Sequence, residues 1–264
     1  MIRLKDKQFG LPFERIWFWD GSQVKSSAIL LRYLRCKPDR IQSIKAKKST
    51  DVNHTLIHDL TLDENELFST LNKKYRYEVR RASKEENEIT VYFADLLRNN
   101  PQILSEFERA YNAFCDTLGN ESVRENYNHD QTCQCITQDG AVLTKAVQGG
   151  AVVYHLYYVD GRSAVLDYSV SDFRDGDVDK ASAGRLNKLL HWEDMKMFKA
   201  EGYLEYDWGN VSTSDVEQFN GIDKFKAGFG GKLIEQQSAF VGNSVLGTLA
   251  VMYIDIKKRQ KGRS

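Results

Sequence analysis

The chain has 264 residues, 41% of them hydrophobic, which is too large for a peptide-sized scaffold and suits one large domain or two small ones with a real core. Lysine plus arginine and aspartate plus glutamate number 37 each, so no overall field draws the chain to nucleic acid or to an acidic membrane, and any anion site must be local. Four cysteines, Cys36, Cys115, Cys133 and Cys135, are too sparse for a disulfide framework. Cys133-x-Cys135 lacks a second pair of zinc ligands, so no metal is expected.

The first residues form no apolar signal region, and no run approaches the roughly 18 residues of a membrane helix. The expectation is a cytoplasmic chain without membrane insertion. Only three prolines occur, and no Gly/Ser-rich linker marks a boundary. Organisation is therefore read from the order of elements. Apolar runs at Arg15 to Asp20, Ala28 to Tyr33 and Thr55 to Leu60 read as strands. Thr61-Leu62-Asp63-Glu64 predicts a capping box, and Phe68, Leu71, Tyr75, Val79 and Ala82 continue from it as one buried helical stripe. That helix turns Lys73, Lys74, Arg76, Arg80 and Arg81 away from the stripe. Glu88 to Phe93 is the next strand.

Asn100-Pro101 opens a second helix, whose buried face is Leu104, Phe107, Tyr111 and Phe114. A second unit begins about here, giving an expected division into 1–98 and 99–264. Ala141 to Val147, Ala151 to Val159 and Ser163 to Ser171 form an antiparallel meander, turning at Gly149-Gly150 and Asp160-Gly161. A helix from about Gly184 to Ala200 feeds a strand from Tyr203 to Trp208. Ser214-Asp215-Val216-Glu217 caps one more helix, ended by Gly228, and Lys232 to Phe240 is a last strand.

The order helix, three antiparallel strands, helix, strand, helix, strand is that of the GNAT acyltransferase fold. Leu71-Asn72-Lys73-Lys74-Tyr75-Arg76-Tyr77-Glu78-Val79-Arg80-Arg81-Ala82, Leu190-His191-Trp192-Glu193 with Phe198-Lys199, Tyr206-Asp207-Trp208-Gly209, and Phe225-Lys226-Ala227-Gly228-Phe229-Gly230-Gly231 resemble the FemAB-like branch of that superfamily. The resemblance covers the chain from about Leu56 onward. It implies a mixed αβ (α+β) class with tandem GNAT-like domains on mixed, mostly antiparallel sheets, and transfer of an acyl group to a primary amine.

Members of that branch use two kinds of donor, aminoacyl-tRNA or acyl-coenzyme A. Those using coenzyme A include enzymes of nucleotide-linked amino sugars for surface polysaccharides such as O-antigen. The tRNA-dependent members often carry a long helical arm, and no charged heptad run of that size occurs here. Balanced charge also argues against a large RNA ligand. Acyl-coenzyme A is therefore the expected donor and a dTDP- or UDP-linked amino sugar the expected acceptor, with a homodimer allowed. A tRNA-dependent transferase and a non-catalytic binding protein are the alternatives.

Such chemistry needs a cradle for the donor's pyrophosphate and a base for the amine. Lys180-Ala181-Ser182-Ala183-Gly184-Arg185 with Lys188 opens a helix after the meander, where free backbone N–H groups suit phosphate. GNAT members usually show a Gln/Arg-x-x-Gly-x-Gly/Ala run there, and this chain offers one glycine; an ordinary helix start is the other reading. If Asp160-Gly161-Arg162 is a three-residue loop, His155 pairs with Asp167, Tyr157 with Val165 and Val153 with Ser169. His155, Tyr157, Asp167, Ser169 and Ser171 then share one face toward a wet cleft, with Asp167 and His155 as candidate bases. Asp207, at a strand end, is the rival base or the cap of its own turn through Gly209 and Asn210. No tyrosine stands just before the Gly-Phe pair to protonate the departing thiolate, which leaves water, Tyr157 or Tyr168. Arg76, Tyr77 and Arg80 on the basic helix, with Tyr157, Asn210, Lys224 and Lys226, are the candidate substrate contacts.

Overall fold

A computed structural model describes residues 1–118, 127–172, 180–213, 215–219 and 221–261. In chain order the elements are β1 (Ile2–Gln8), β2 (Leu11–Trp17), β3 (Leu30–Cys36), α1 (Pro38–Ser43), β4 (Lys48–Asp59), α2 (Glu64–Thr70), α3 (Lys73–Ala82), β5 (Glu88–Phe93), α4 (Ala94–Asn99), α5 (Pro101–Leu118) and α6 (His129–Ile136). There follow β6 (Ala141–Gln148), β7 (Ala151–Val159), β8 (Ser163–Asp172), α7 (Lys180–Ala200), β9 (Glu205–Val211), a 3-10 turn (Val216–Gln218), α8 (Gly221–Ala227), β10 (Lys232–Gly242) and α9 (Val245–Lys261). Ser214, the expected helix cap, lies outside the described residues; Asp215 caps the 3-10 turn by accepting from Glu217 N.

Two compact units form, and neither follows a single cut in the sequence. The smaller comprises Met1–Thr55, Asn210–Ser214 and Leu233–Ser264, the larger Leu56–Gly209 and Asp215–Lys232. The expected boundary at residue 98 fails because strand pairing and helix packing draw 56–98 elsewhere. β5 joins the meander by pairing antiparallel with β6, and α3 packs against α7.

In the smaller unit β1 and β2 form an antiparallel hairpin, β3 lies parallel to β2, and β10 returns antiparallel beside β3. One face of these strands buries Ile16, Leu31, Tyr33 and Val241 with Trp19 and Ile41. The other holds Phe13 and Leu30 against Val251 and Ile254 of α9.

In the larger unit the order β5-β6-β7-β8-β9 is antiparallel except for the parallel pair β8 and β9. Gly149 and Gly150 both take positive φ, 51° and 85°, the twist a two-residue hairpin needs between β6 and β7. The single helix expected from Thr61 to Ala82 is two. Asp63 and Glu66, rather than Thr61 and Glu64, form the capping box of α2. The chain then breaks at Leu71, and Asn72 restarts it by accepting from Tyr75 N at 2.8 Å.

The β7–β8 register also differs from expectation. Asp160 accepts from both Arg162 N and Ser163 N, which tightens the loop to two residues, Gly161 and Arg162. Tyr157 therefore opposes Leu166, and a bulge at Asp167 shifts the ladder so that His155 opposes Ser169 and Val153 opposes Ser171.

Candidate functional site

β8 and β9 pair over only three rungs, Ser163↔Glu205, Ala164↔Tyr206 and Val165↔Asp207. Beyond them β8 runs on to Asp172, and among the described residues β7 alone is its ladder partner there. A parallel pair that ends mid-strand leaves a row of N–H and C=O groups facing a gap. At the point of parting, Gly209 takes φ +76° and its missing Cβ would lie 2.7 Å from Leu166 O. Only glycine lets the two backbones approach so closely there. Asp207, buried, accepts from Gly209 N at 2.8 Å, so its carboxylate holds this turn.

Lys226 of α8 reaches to 3.9 Å from the Gly209 Cβ position. From α7, Lys188 bonds Gly184 O, pairs with Glu78 of α3 at 3.2 Å and lies over the rings of Tyr75 and Phe225. Tyr75 fills the space a side chain at Gly228 would need and packs edge-on to Phe229 at 5.0 Å. Burial, then the charge of Glu78, pushes its phenol up to about 12. Arg185 pairs with Glu85 at the other end of α3. The predicted donor-binding helix start and the predicted acceptor helix thus lie side by side in one unit.

Beneath this rim runs a buried polar chain. Tyr157 donates to Asp194 Oδ2 at 2.5 Å and lies 2.8 Å from the Tyr206 hydroxyl, which lies 2.8 Å from His191 Nδ1. Since a phenol has one proton, that of Tyr157 goes to Asp194, that of Tyr206 to Tyr157, and His191 Nδ1–H donates to Tyr206. Burial, then His155, Lys226 and Lys188, holds the His191 pKa well below its ordinary value. The ring is therefore neutral, with its one proton on Nδ1. His155 meets Asp194 Oδ2 at 2.7 Å through Nδ1 and Asn187 Oδ1 at 2.9 Å through Nε2.

His155, His191 and Asp194 bring three ligand-type atoms within 4.8 Å of one another. The two rings, however, stack at 3.8 Å and 19°. Their in-plane lone pairs run side by side instead of converging, and both Nδ1 atoms are engaged. The set suits a hydrogen-bond network rather than tetrahedral ligation.

The remaining predicted residues are spread out. Asp167 sits half-exposed in the β8 bulge; burial, and after it the charge of Asp167, raises the pKa values of Cys135 and Tyr158, and Asp167 does not share a face with His155. His155 and Tyr157 line no wet cleft, being fully buried. Tyr168 takes an N–H bond from Asn128 instead. Ala183 is core, packed with Ala146, Val153 and Leu186. Lys180 and Lys224 are exposed, Ser182 is half-buried. Arg76 is tied to the carbonyls of Ser69 and Leu71, Arg80 covers Phe68, and Tyr77 is exposed. Asn210 accepts from Arg35.

Sequence reasoning gave no site role to Tyr75, Asn187, His191, Asp194 or His58. The spacing 187, 191, 194 puts a polar stripe on one helical face, the available signal. His58 carries none: its Nε2–H donates to Phe229 O and its Nδ1 accepts from Trp208, contacts set by tertiary packing.

No protein-family model matches the chain, and no curated protein matches it either. Solved structures do. FemX superposes with a TM-score of 0.61 at 12% identity, over 94% of this chain and 85% of that one. The fold is GNAT-like, of the FemX kind. The C-terminal DUF2156 domain of a putative lysylphosphatidylglycerol synthetase from Agrobacterium fabrum gives 0.54 at 16% identity, over 84% of this chain and 71% of that one. L-PGS from Bacillus licheniformis gives 0.51 at 14% identity with the same coverage.

Proposed function

We propose that the chain is an N-acyltransferase that moves an acyl group from coenzyme A to a primary amine. The observation that carries this reading is the parting of β8 and β9 after three rungs in a FemX-like fold, with Gly209 at the point of parting and Lys226 beside it. The open strand edge suits an extended donor that carries amide groups, as the pantetheine arm does. The first turn of α7, with Ser182, Gly184 and Arg185, supplies N–H groups and charge for its pyrophosphate, together with Lys180 and Lys188.

In this reading Asp167 takes the proton of the attacking amine. Its carboxylate is half-exposed on β8, whereas His155 and Asp207 are buried and act by holding the network and the Gly209 turn. Tyr75, a phenol protonated at neutral pH, donates to the departing thiolate. The acceptor is an amino sugar on a nucleoside diphosphate, met by Tyr77 and Arg80 on the exposed face of α3 and by Lys224 of α8.

A second reading, transfer of an amino acid from aminoacyl-tRNA, draws support from the extent of the FemX likeness. Thiol release from acetyl- and longer acyl-coenzyme A, with and without dTDP- or UDP-linked amino sugars, separates the two. Amine-dependent release supports the first. No release and no coenzyme A binding by calorimetry, with transfer from charged tRNA, supports the second.

A further inference from the structure

α9 has two apolar faces. Val251 and Ile254 point inward, Gly247 lies against Ile29 O, and Lys258 is anchored to Asp51 at 2.6 Å. On the opposite side Val245, Leu246, Leu249, Met252, Tyr253 and Ile256 are all exposed, Val245 by 81%. At about 100° per residue these six fall within an arc of about 120°, a continuous stripe and not scattered surface residues. The β1–β2 hairpin adds to it: Phe9 takes φ +53°, is 57% exposed and meets Tyr253 edge-on at 5.7 Å. A phenylalanine held in the left-handed region and turned to solvent is unfavourable for the free chain.

Charge decides what fits this stripe. On the same helical wheel Lys257 and Arg259 fall on its two rims, one on each side, and the helix has a single carboxylate, Asp255, which faces Lys47 at 3.7 Å. A second copy laid antiparallel would set these cations against Val245 to Gly247, where no carboxylate stands; laid parallel, it would set cation against cation. An apolar stripe with cations on both rims matches the interface of an anionic bilayer. The balanced net charge of the whole chain makes this a local feature.

We propose that α9 and Phe9 form a peripheral membrane-binding surface, with the stripe lying among the acyl chains and Lys257 and Arg259 on the lipid phosphates. This inference is independent of the acyl-transfer reading. The test is flotation of the full chain with vesicles of phosphatidylcholine alone or mixed with phosphatidylglycerol. Binding is expected with the mixed vesicles and is weakened by salt. Leu249→Asp with Ile256→Asp should abolish it, with an unchanged circular dichroism spectrum because both side chains are exposed. Lys257→Ala with Arg259→Ala should weaken it about thirtyfold, about 1 kcal/mol for each cation. Failure to float with mixed vesicles overturns the proposal, as does equal flotation with both compositions. A dimeric mass by light scattering that becomes monomeric in the Leu249→Asp/Ile256→Asp variant also overturns it, because the stripe is then covered by a second copy.

Discussion

Tyr154, Leu156 and Tyr158 leave β7 on one side, where Tyr154 meets Phe107 and Tyr158 bonds Thr132, whereas His155 and Tyr157 leave it on the other and meet Asp194, Asn187 and Tyr206. Both faces are buried. The first is held by volume and ring packing, the second by a directional chain of protons ending on one carboxylate, so the two faces should respond differently to the same kind of change. Phe107→Ala should lose about 3–5 kcal/mol, and Phe107→Leu should recover most of it, because an apolar face needs only to be filled. Asp194→Ala should also lose about 3–5 kcal/mol. Asp194→Leu, of suitable size, should recover none of it, since His155 Nδ1 and the Tyr157 proton then lose their buried acceptor. Urea unfolding of the four variants measures this, and recovery by leucine at position 194 would break the contrast.

The same contrast separates stability from activity. Asp167 and Tyr75 lie off the buried chain, so Asp167→Asn and Tyr75→Phe should lower kcat by about 10²- to 10⁴-fold with unfolding midpoints near that of the parent. Stopped-flow thiol release with the amine acceptor, alongside thermal unfolding, checks both. Loss of stability in place of loss of rate would assign these residues to the fold.

Smaller effects sharpen the geometry of the gap. Gly161 and Gly209 have similar φ, 81° and 76°, but a Cβ at Gly161 meets open space whereas one at Gly209 meets Leu166 O. Gly161→Ala therefore carries backbone strain alone, about 1 kcal/mol, and Gly209→Ala should lose about 1–2 kcal/mol more. Equal losses would mean that the gap widens freely at that point.

Much of the fold was legible in the sequence because its signals are local. The meander announces itself by alternation and by Gly149-Gly150, and Pro101 opens α5 where expected. α9 was not read from the sequence, although Gly242-Asn243-Ser244 stands before it and Ser244 accepts from Gly247 N as its cap. The division at residue 98 failed because the partners of β5 and α3 lie far along the chain. The site was less legible still. A two-residue turn plus a bulge leaves almost the same alternation as a three-residue loop, so the register of Asp167 could not be read from pattern. Tyr75 arrives beside the Gly228-Phe229 pair from a helix about 150 residues earlier in the chain, a meeting set by tertiary packing alone.

The smallest expected effect tests whether His58 and His191 are neutral in the folded chain. Burial lowers the pKa values of His58 and His191 below 6.5 in the folded chain, while the unfolded chain titrates near 6.5. Between the folded and unfolded values the unfolded state binds more protons, so stability rises with pH there. The contribution is complete above about pH 7 and is lost progressively as pH falls from 6.5 toward the folded values. Thermal unfolding from pH 7.5 to 5.5 should therefore show a falling midpoint. His191→Gln should be less stable at pH 7.5, because Tyr206 loses its imidazole donor, and yet lose less on acidification, since one of the two depressed groups is gone. An unchanged acid slope in that variant would mean that His191 is already protonated in the folded state. Its Nδ1–H would still donate to Tyr206, so the direction of the chain would stand, but a charged ring would lie buried on this face and the contrast of pH response with the aromatic face would fail.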